Sequence, residues 1–245
     1  MKLALIGFGK MGRSVEIVAE EHNKNDNDPK IEIVLKIDKE NLADCTPENI
    51  RRADVALEFS TPETVIQNIY TCFDAGVPVV VGTTGWYNQL DAVLNRCKEK
   101  DATILYTPNF SVGVNLFFEI NKLLAAFMHS QPDYDVKIHE THHTEKLDSP
   151  SGTALKIAGQ ILDNIPGKEK WVNHPAKDKS ELEIISQRVP GAAGTHVVNY
   201  ISEFDEITII HKANSRKGFA QGALQAAIWL QGKKGVYTMK DVLGL

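Results

Sequence analysis

"LALIGFGKMG", residues 3–12, decides the architecture of the first half of the chain. A short apolar run leads into Gly7, Gly9 and Gly12, spaced G-x-G-x-x-G, and the amphipathic segment MGRSVEIVAEE follows. That order reads as strand, tight turn, helix. The first glycine permits the turn, the second lets backbone approach a pyrophosphate, and the third lets helix and strand pack closely. The start of the helix offers amide N–H groups and a partial positive charge to a phosphate. A strand-to-helix turn without a ligand would carry the same glycines, so the surroundings must decide.

Those surroundings are regular. IEIVLKID, ADVALEFS, VPVVVGTT and ATILYTPN read as further strands with helical patterns between them. In TPETVIQNIYTCFDAG, Thr61 is placed to cap a helix, Pro62 suits its first turn, and Gly76 closes it. Strands this continuously apolar belong to a parallel sheet covered on both faces. The second strand ends in Asp38, an acid suited to the ribose hydroxyls of an adenosine. It lies further from the glycines than the usual ~20 residues, and the polar loop HNKNDNDPK absorbs the excess. Lys39 and Lys10 are suited to phosphate, Lys39 to a 2′-phosphate in particular. An acid and a base side by side point to NADH and NADPH both being accepted. EFSTPE, VGTTG and TPNFSVGVN occupy the same, carboxyl-terminal edge of the sheet, where ligands of open parallel sheets lie. Gly82, Thr83 and Thr84 fall where a nicotinamide would.

After Asn109 the rhythm changes. A long apolar helix, SVGVNLFFEINKLLAAFMHS, precedes DYDVKIHETHH, whose Tyr134, Val136 and Ile138 alternate at period two. A helix from Gly152 follows, and then the strand-like segments ELEIISQRV, HVVNYIS and EITIIHKA. This order predicts a second domain with a mixed or antiparallel sheet and helices on one side. Residues 167–181, GKEKWVNHPAKDKSE, read as a surface loop. A last helix, RKGFAQGALQAAIWLQG, fits either domain.

A net charge of −5 gives no general attraction to nucleic acid or to anionic membranes. Cys45, Cys72 and Cys97 are scattered and odd in number, which suits a reducing compartment. The chain enters its first strand without a signal segment and holds no apolar run of membrane-spanning length. The expectation is a cytoplasmic protein without a nucleic-acid or membrane partner.

HETHHTEKLDSPSGTA, residues 139–154, concentrates the chemistry. A zinc site needs converging ligands, but on a strand His142 faces away from His139 and His143, so no metal is expected. An anion site fits better. Ser151, Gly152 and Thr153 open a helix whose amides favour a carboxylate or phosphate. Ser149 or Ser151 is also a natural N-cap. Lys146 adds a positive charge, and His142 or His143 can exchange a proton near neutral pH. An acidic small molecule that receives a hydride and a proton is the indicated substrate. Another Rossmann-type dehydrogenase, or a nucleotide sensor, would share the glycine loop without needing this cluster.

HHTEKLDSPSGTA, together with GTTG, NFSVGVN and HKANSR in their order along nearly the whole chain, resembles the 4-hydroxy-tetrahydrodipicolinate (dihydrodipicolinate) reductase family. The resemblance implies an α/β fold. Its parts are a Rossmann-type parallel-sheet nucleotide domain (residues 1–109 and 214–245) and an α+β substrate-binding and oligomerisation domain with a mixed sheet (110–213). It implies NADH- or NADPH-dependent reduction of a dicarboxylate in diaminopimelate and lysine biosynthesis, by a homotetramer. Carried over by position, His142 and Lys146 become catalytic, and His143, Gly152 and Thr153 become substrate contacts. Gly7, Phe8, Gly9, Lys10, Met11, Gly12, Asp38, Lys39, Gly82, Thr83, Thr84, Thr107, Pro108, Asn109 and Phe110 become cofactor contacts. The glycine loop is one residue shorter than in many members and has Lys10 where arginine is common.

Overall fold

Side chains alternate along β1 (Lys2–Ile6). Leu3 and Leu5 enter one apolar core, Ala4 and Ile6 a second on the opposite face, and all four are buried. Coverage of both faces explains an apolar run without a polar break. In this computed structural model, which describes residues 1–245 except Asp26, Asn27 and Arg216, the middle of HNKNDNDPK and the end of HKANSR lie outside the described residues. After β1 come α1 (Lys10–His22), β2 (Glu32–Ile37), the single turn α2 (Pro47–Ile50), β3 (Val55–Glu58), α3 (Val65–Ala75), β4 (Val79–Val81), α4 (Leu90–Glu99) and β5 (Thr103–Tyr106). The chain continues through α5 (Val112–Met128), β6 (Asp135–His142), α6 (Gly152–Leu162), β7 (Lys170–Val172), β8 (Glu181–Arg188), β9 (Thr195–Ile201) and β10 (Glu206–Lys212). It ends with α7 (Lys217–Leu230), β11 (Gly235–Tyr237) and α8 (Met239–Leu243).

Two compact units result, Met1–Val112 with Lys217–Leu245, and Gly113–Arg216. The first holds a six-stranded parallel sheet ordered β11-β5-β4-β3-β1-β2. Val15 and Val18 of α1, Ala223 and Leu224 of α7 and Met239 of α8 cover one face. Ile69 and Phe73 of α3, with Val93 and Cys97 of α4, cover the other. Each such side chain contributes ~1.5–3 kcal/mol on full burial, the smaller alanine and cysteine less. Strand order reverses direction at β1, whose neighbours are β2 and β3, and ligands of open parallel sheets lie beyond the strand ends at such a switch point.

The second unit holds the mixed sheet β10-β9-β6-β8-β7. β9 runs antiparallel to β6 and β10, whereas β8 is parallel to β6 and β7. Phe117 and Phe118 of α5 and Ile157 and Ile161 of α6 pack on Val136, Ile138, Leu182, Ile184, Val198 and Tyr200. Among the described residues, no helix is long and apolar enough to cross a membrane.

Both sheets match the α/β plus α+β class, with two local corrections. The helix expected from Thr61 starts at Val65, with Thr64 as its N-cap. The Thr64 hydroxyl donates to Ser60 Oγ (2.9 Å), and the Thr61 carbonyl accepts from the Thr64 and Val65 amides, so residues 61–64 form a turn instead. Gly76 does close the helix, with φ +70°. The expected loop at 167–181 contains the edge strand β7, paired with β8. Its polar composition hid it because an edge strand of three residues buries little, and Trp171 stays 41% exposed.

Candidate functional site

Five loops meet at the carboxyl-terminal edge of the parallel sheet. The Gly7 and Phe8 amides donate to the Ile37 carbonyl (2.9 and 2.7 Å), which brings the glycine loop beside Asp38. Gly7 has φ +92°, and a Cβ there would stand 2.1 Å from the Phe59 carbonyl oxygen. No other residue type fits this point, because the loops after β1 and β3 touch. A Cβ at Gly82, after β4, would strike the Phe59 ring at 2.0 Å. The Phe59 ring in turn meets Phe110, after β5, edge-on at 5.6 Å. Thr107 donates its hydroxyl to the Asn109 carbonyl (3.0 Å) and accepts from the Asn109 amide (3.2 Å), fixing that turn.

This edge fits a pyrophosphate. Gly9 caps α1 without a side-chain hydrogen bond, and no acidic residue stands in the first turn. Open space surrounds the Cβ position of Gly9, whereas that of Gly12 lies 2.8 Å from the Gly7 carbonyl oxygen. The α1 amides and the helix dipole are therefore available to an anion. Lys10, Lys39, Thr84 and Pro108 are exposed, Met11 and Asp38 half-buried, and Thr83 buried. Phe8 carries Arg13 and Lys36 within 4.9 and 5.0 Å of its ring centre. Asp38 Oδ1 accepts from the Glu40 amide (2.8 Å), which orders the turn that holds Lys39.

The second cluster grows from the register of the mixed sheet. Along β6 the inward face runs Val136, Ile138, Glu140, His142, all buried. Glu140 is paired with Ser186 on β8 and His196 on β9, and His142 with Arg188 on β8. A carboxylate buried this completely needs donors. Both Glu140 oxygens accept from the Ser151 amide (3.0 and 3.2 Å), Oε1 accepts from Ser186 Oγ (2.8 Å), and Arg188 stands at 3.5 Å. Burial pushes the Glu140 pKa up, but hydrogen bonds from His196, Ser151 and Ser186 outweigh it and hold the group well below the usual carboxylate range.

His142 is pushed down to about 4 by its burial and by the neighbouring His196, with Glu140 opposing and Lys146 and Arg188 adding to the fall. The imidazole is therefore neutral at pH 7. His142 and His196 rings meet at 5.0 Å in a T-shaped contact. Ser151 caps α6, its hydroxyl accepting from the Ala154 amide (3.2 Å). The amides of Gly152 and Thr153 precede the first intrahelical bond and point to an anion position.

Lys146 and Asp148 show what such an anion looks like. The Lys146 ammonium bridges both Asp148 oxygens at 2.8 and 2.9 Å. The Asp148 carboxyl is held below its ordinary pKa by that contact first, and also by the Asp148 and Gly152 amides. Arg188 donates to the Lys146 and Asp148 carbonyls at 3.3 and 2.5 Å, pinning the loop. His143 leaves the inward face and lines an open cleft of about 460 Å³ with Pro190, Ala192 and Asn214.

Glu140, His142 and His196 also bring one possible ligand atom each within 4.8 Å of one another. This set is not the local His139–His142–His143 group weighed from sequence. A metal there would face the Arg188 cation, and the Glu140 oxygens already take several donors. We therefore read it as an acid–base cluster. Sequence reasoning missed Glu140, Ser186, Arg188 and His196; only Glu140 carried a signal, its place two residues before His142 on an inward-facing strand.

Two family models match the chain, dihydrodipicolinate reductase N-terminus over residues 1–110 and dihydrodipicolinate reductase C-terminus over residues 113–243. A 4-hydroxy-tetrahydrodipicolinate reductase of Christiangramia forsetii is 45% identical over 243 residues, 99% of this chain and 98% of that protein. The enzyme of that name from Neisseria meningitidis serogroup B is 34% identical over 204 residues, 80% of this chain and 74% of its own. Among solved structures, a dipicolinate-bound dihydrodipicolinate reductase from Paenisporosarcina sp. TG-14 superposes with a TM-score of 0.77 at 25% identity, covering 97% of each chain.

Proposed function

The chain belongs to the dihydrodipicolinate reductase family, and on that premise we propose that it reduces 4-hydroxy-tetrahydrodipicolinate to tetrahydrodipicolinate, in diaminopimelate and lysine biosynthesis, with a reduced pyridine nucleotide. The observation that carries the site reading is the Lys146–Asp148–Gly152 constellation, where a carboxylate already rests on an ammonium and a helix amide beside buried His142. A substrate carboxylate takes the Asp148 position on Lys146 and on the Gly152 and Thr153 amides, with His143 as a further contact. The reduced nicotinamide, when bound, supplies the hydride. The substrate's 4-hydroxyl leaves as water, and His142 and Lys146 move the proton that accompanies the hydride. Lys146 is the charged donor, while His142 is neutral until the substrate's negative charges raise its pKa.

The residues that hold the nucleotide are Gly7–Gly12 for the pyrophosphate, Asp38 or Lys39 at the adenosine ribose, and Gly82–Thr84 with Thr107–Phe110 at the nicotinamide half. Asp38 suits the 2′-hydroxyl of NADH, and Lys39 with Lys10 suits the 2′-phosphate of NADPH, so both are substrates in this reading. The test is nucleotide oxidation with substrate made in situ by a synthase from pyruvate and aspartate semialdehyde. Synthase-dependent oxidation of both nucleotides is expected; tight nucleotide binding without any synthase-dependent oxidation would refute the reading.

Asp148 competes with substrate for Lys146. Its side chain is 56% exposed, and such a pair is worth ~0.2–1 kcal/mol. Asp148→Asn is therefore expected to lower KM about two- to fivefold with kcat nearly unchanged, measured by steady-state kinetics.

The assembly we propose is a homotetramer in the cytoplasm, consistent with the free thiols Cys45, Cys72 and Cys97. A cross-strand row of Ile210, Val197, His139 and Ile185 lies on the sheet face opposite α5 and α6. Ile210 is 61% and Phe204 86% exposed, an apolar surface suited to a second copy. Ile210→Asp is expected to shift the protein to a smaller species in size-exclusion light scattering, with its circular dichroism unchanged. A wild-type monomer would overturn this.

A further inference from the structure

We propose that Glu140 is a positioning residue for proton transfer, a buried carboxylate that holds His142 in the Nδ1–H form and steadies its charged state. The proposal rests on the reductase reading for its kinetic consequences, but not for its structural ones. His142 Nδ1 is buried without a hydrogen-bond partner, and Glu140 Oε2 lies 3.4 Å from it. That separation is long for a hydrogen bond, and such contacts tighten when the reacting complex forms. At Gly194 the other edge of the ring meets backbone and no side chain. Gly194, with φ +138°, stands where a Cβ would come within 3.3 Å of His142 Nε2 and Cδ2. Nδ1 therefore faces an acceptor, and Nε2 faces the turn that precedes β9. This orients the imidazole to use Nε2 for exchange, because the partner on one nitrogen sets the role of the other.

The carboxylate is fixed from three directions. Ser186 on β8 and the Ser151 amide at the start of α6 hold Oε1, and His196 on β9 lies 3.7 Å from Oε2 and 3.2 Å from Ser151 Oγ. One group thus ties the acid–base histidine to the helix whose next two amides form the anion position. The charged and titratable groups around His142 are Glu140 on its own strand, His196, Arg188 and Lys146. Among these described groups Glu140 is the negative one, and it favours the imidazolium that His196, Lys146 and Arg188 oppose. Its many donors keep it ionised at working pH, which a neutral amide cannot reproduce.

Two measurements test this. In wild-type protein with isotopically labelled imidazole nitrogens, NMR should show His142 as the Nδ1–H tautomer, assigned by the signal's loss in His142→Asn. This needs neither substrate nor a Glu140 variant, so it stands apart from the reductase reading. In Glu140→Gln, which keeps the acceptor at Oε1, the His142 titration midpoint should fall further. kcat should drop ~10–100-fold, as for other groups that orient a functional histidine, with KM changed less than about threefold. The acidic limb of the kcat profile should shift with the NMR midpoint. A purely architectural Glu140 would alter thermal stability and leave tautomer, midpoint and limb in place. An Nε2–H tautomer in the wild type, or an unmoved midpoint in a folded Glu140→Gln, overturns the proposal. Absent turnover with the tautomer as expected would instead count against the reductase reading.

Discussion

Lys146→Met is expected to lower kcat/KM about a thousandfold, with both a raised KM and a reduced kcat. Methionine keeps the apolar stem and removes the ammonium. The Lys146 side chain is only 23% exposed, so a carboxylate left opposite its former position loses a partially desolvated partner. Leaving one charge of a buried pair uncompensated costs ~3–5 kcal/mol, and each 1.36 kcal/mol is about tenfold in rate. Because Lys146 also supplies a proton in the proposed chemistry, the loss falls on turnover as well as on binding. A variant with wild-type KM would remove Lys146 from the carboxylate site.

The second large effect belongs to His142. His142→Gln should reduce kcat by ~10²–10⁴, the usual contribution of a positioned acid–base group, with KM little changed. It should also change how the protein responds to acid. His142 titrates near 6.5 in the unfolded chain but is pushed down to about 4 in the folded one by burial and by His196. The unfolded state therefore binds the extra proton first. The contribution of this group to stability is fully present above about pH 6.5 and is lost as the pH falls towards 4. With its side chain 11% exposed, this histidine accounts for about 3 kcal/mol of that loss. Glu140 works in the same direction but at lower pH, since its folded pKa is depressed. Urea unfolding at a series of pH values should show the wild type weakening between pH 6.5 and 4 and His142→Gln weakening less. Parallel curves would refute the assignment of His142 as a neutral buried group.

How much of this was legible in advance depends on distance along the chain. The glycine loop could be read as a tight strand-to-helix turn because its turn and its packing are both set within residues 7–12, and Gly7 and Gly12 do make the close contacts that exclude a side chain. The parallel sheet could be read because burial of both faces leaves β1, β3, β4 and β5 almost wholly apolar. The start of α6 could be read because Ser151, its N-cap, and Gly152 and Thr153 form one helix start. Glu140 was half legible. The period that placed Tyr134, Val136 and Ile138 on one face runs on to residues 140 and 142, so a carboxylate on the inward face was implied. Ser186, Arg188 and His196 were not legible, because they reach Glu140 and His142 only through strand register, which tertiary packing sets. Thr64 displaced Thr61 as a helix cap for a related reason: the Ser60–Thr64–Asn68 hydrogen bonds close on Glu58, an inward residue of the sheet.

The most direct measurement is calorimetric binding of a planar pyridine dicarboxylate, with saturating reduced nucleotide, to the wild type, to Lys146→Met and to His142→Gln. Clear binding to the wild type is expected, with at least tenfold weaker binding to Lys146→Met and a much smaller change for His142→Gln. Equal affinity for the wild type and Lys146→Met would contradict the proposed carboxylate site, because the carboxylate would then be seated somewhere other than on Lys146 and the first amides of α6.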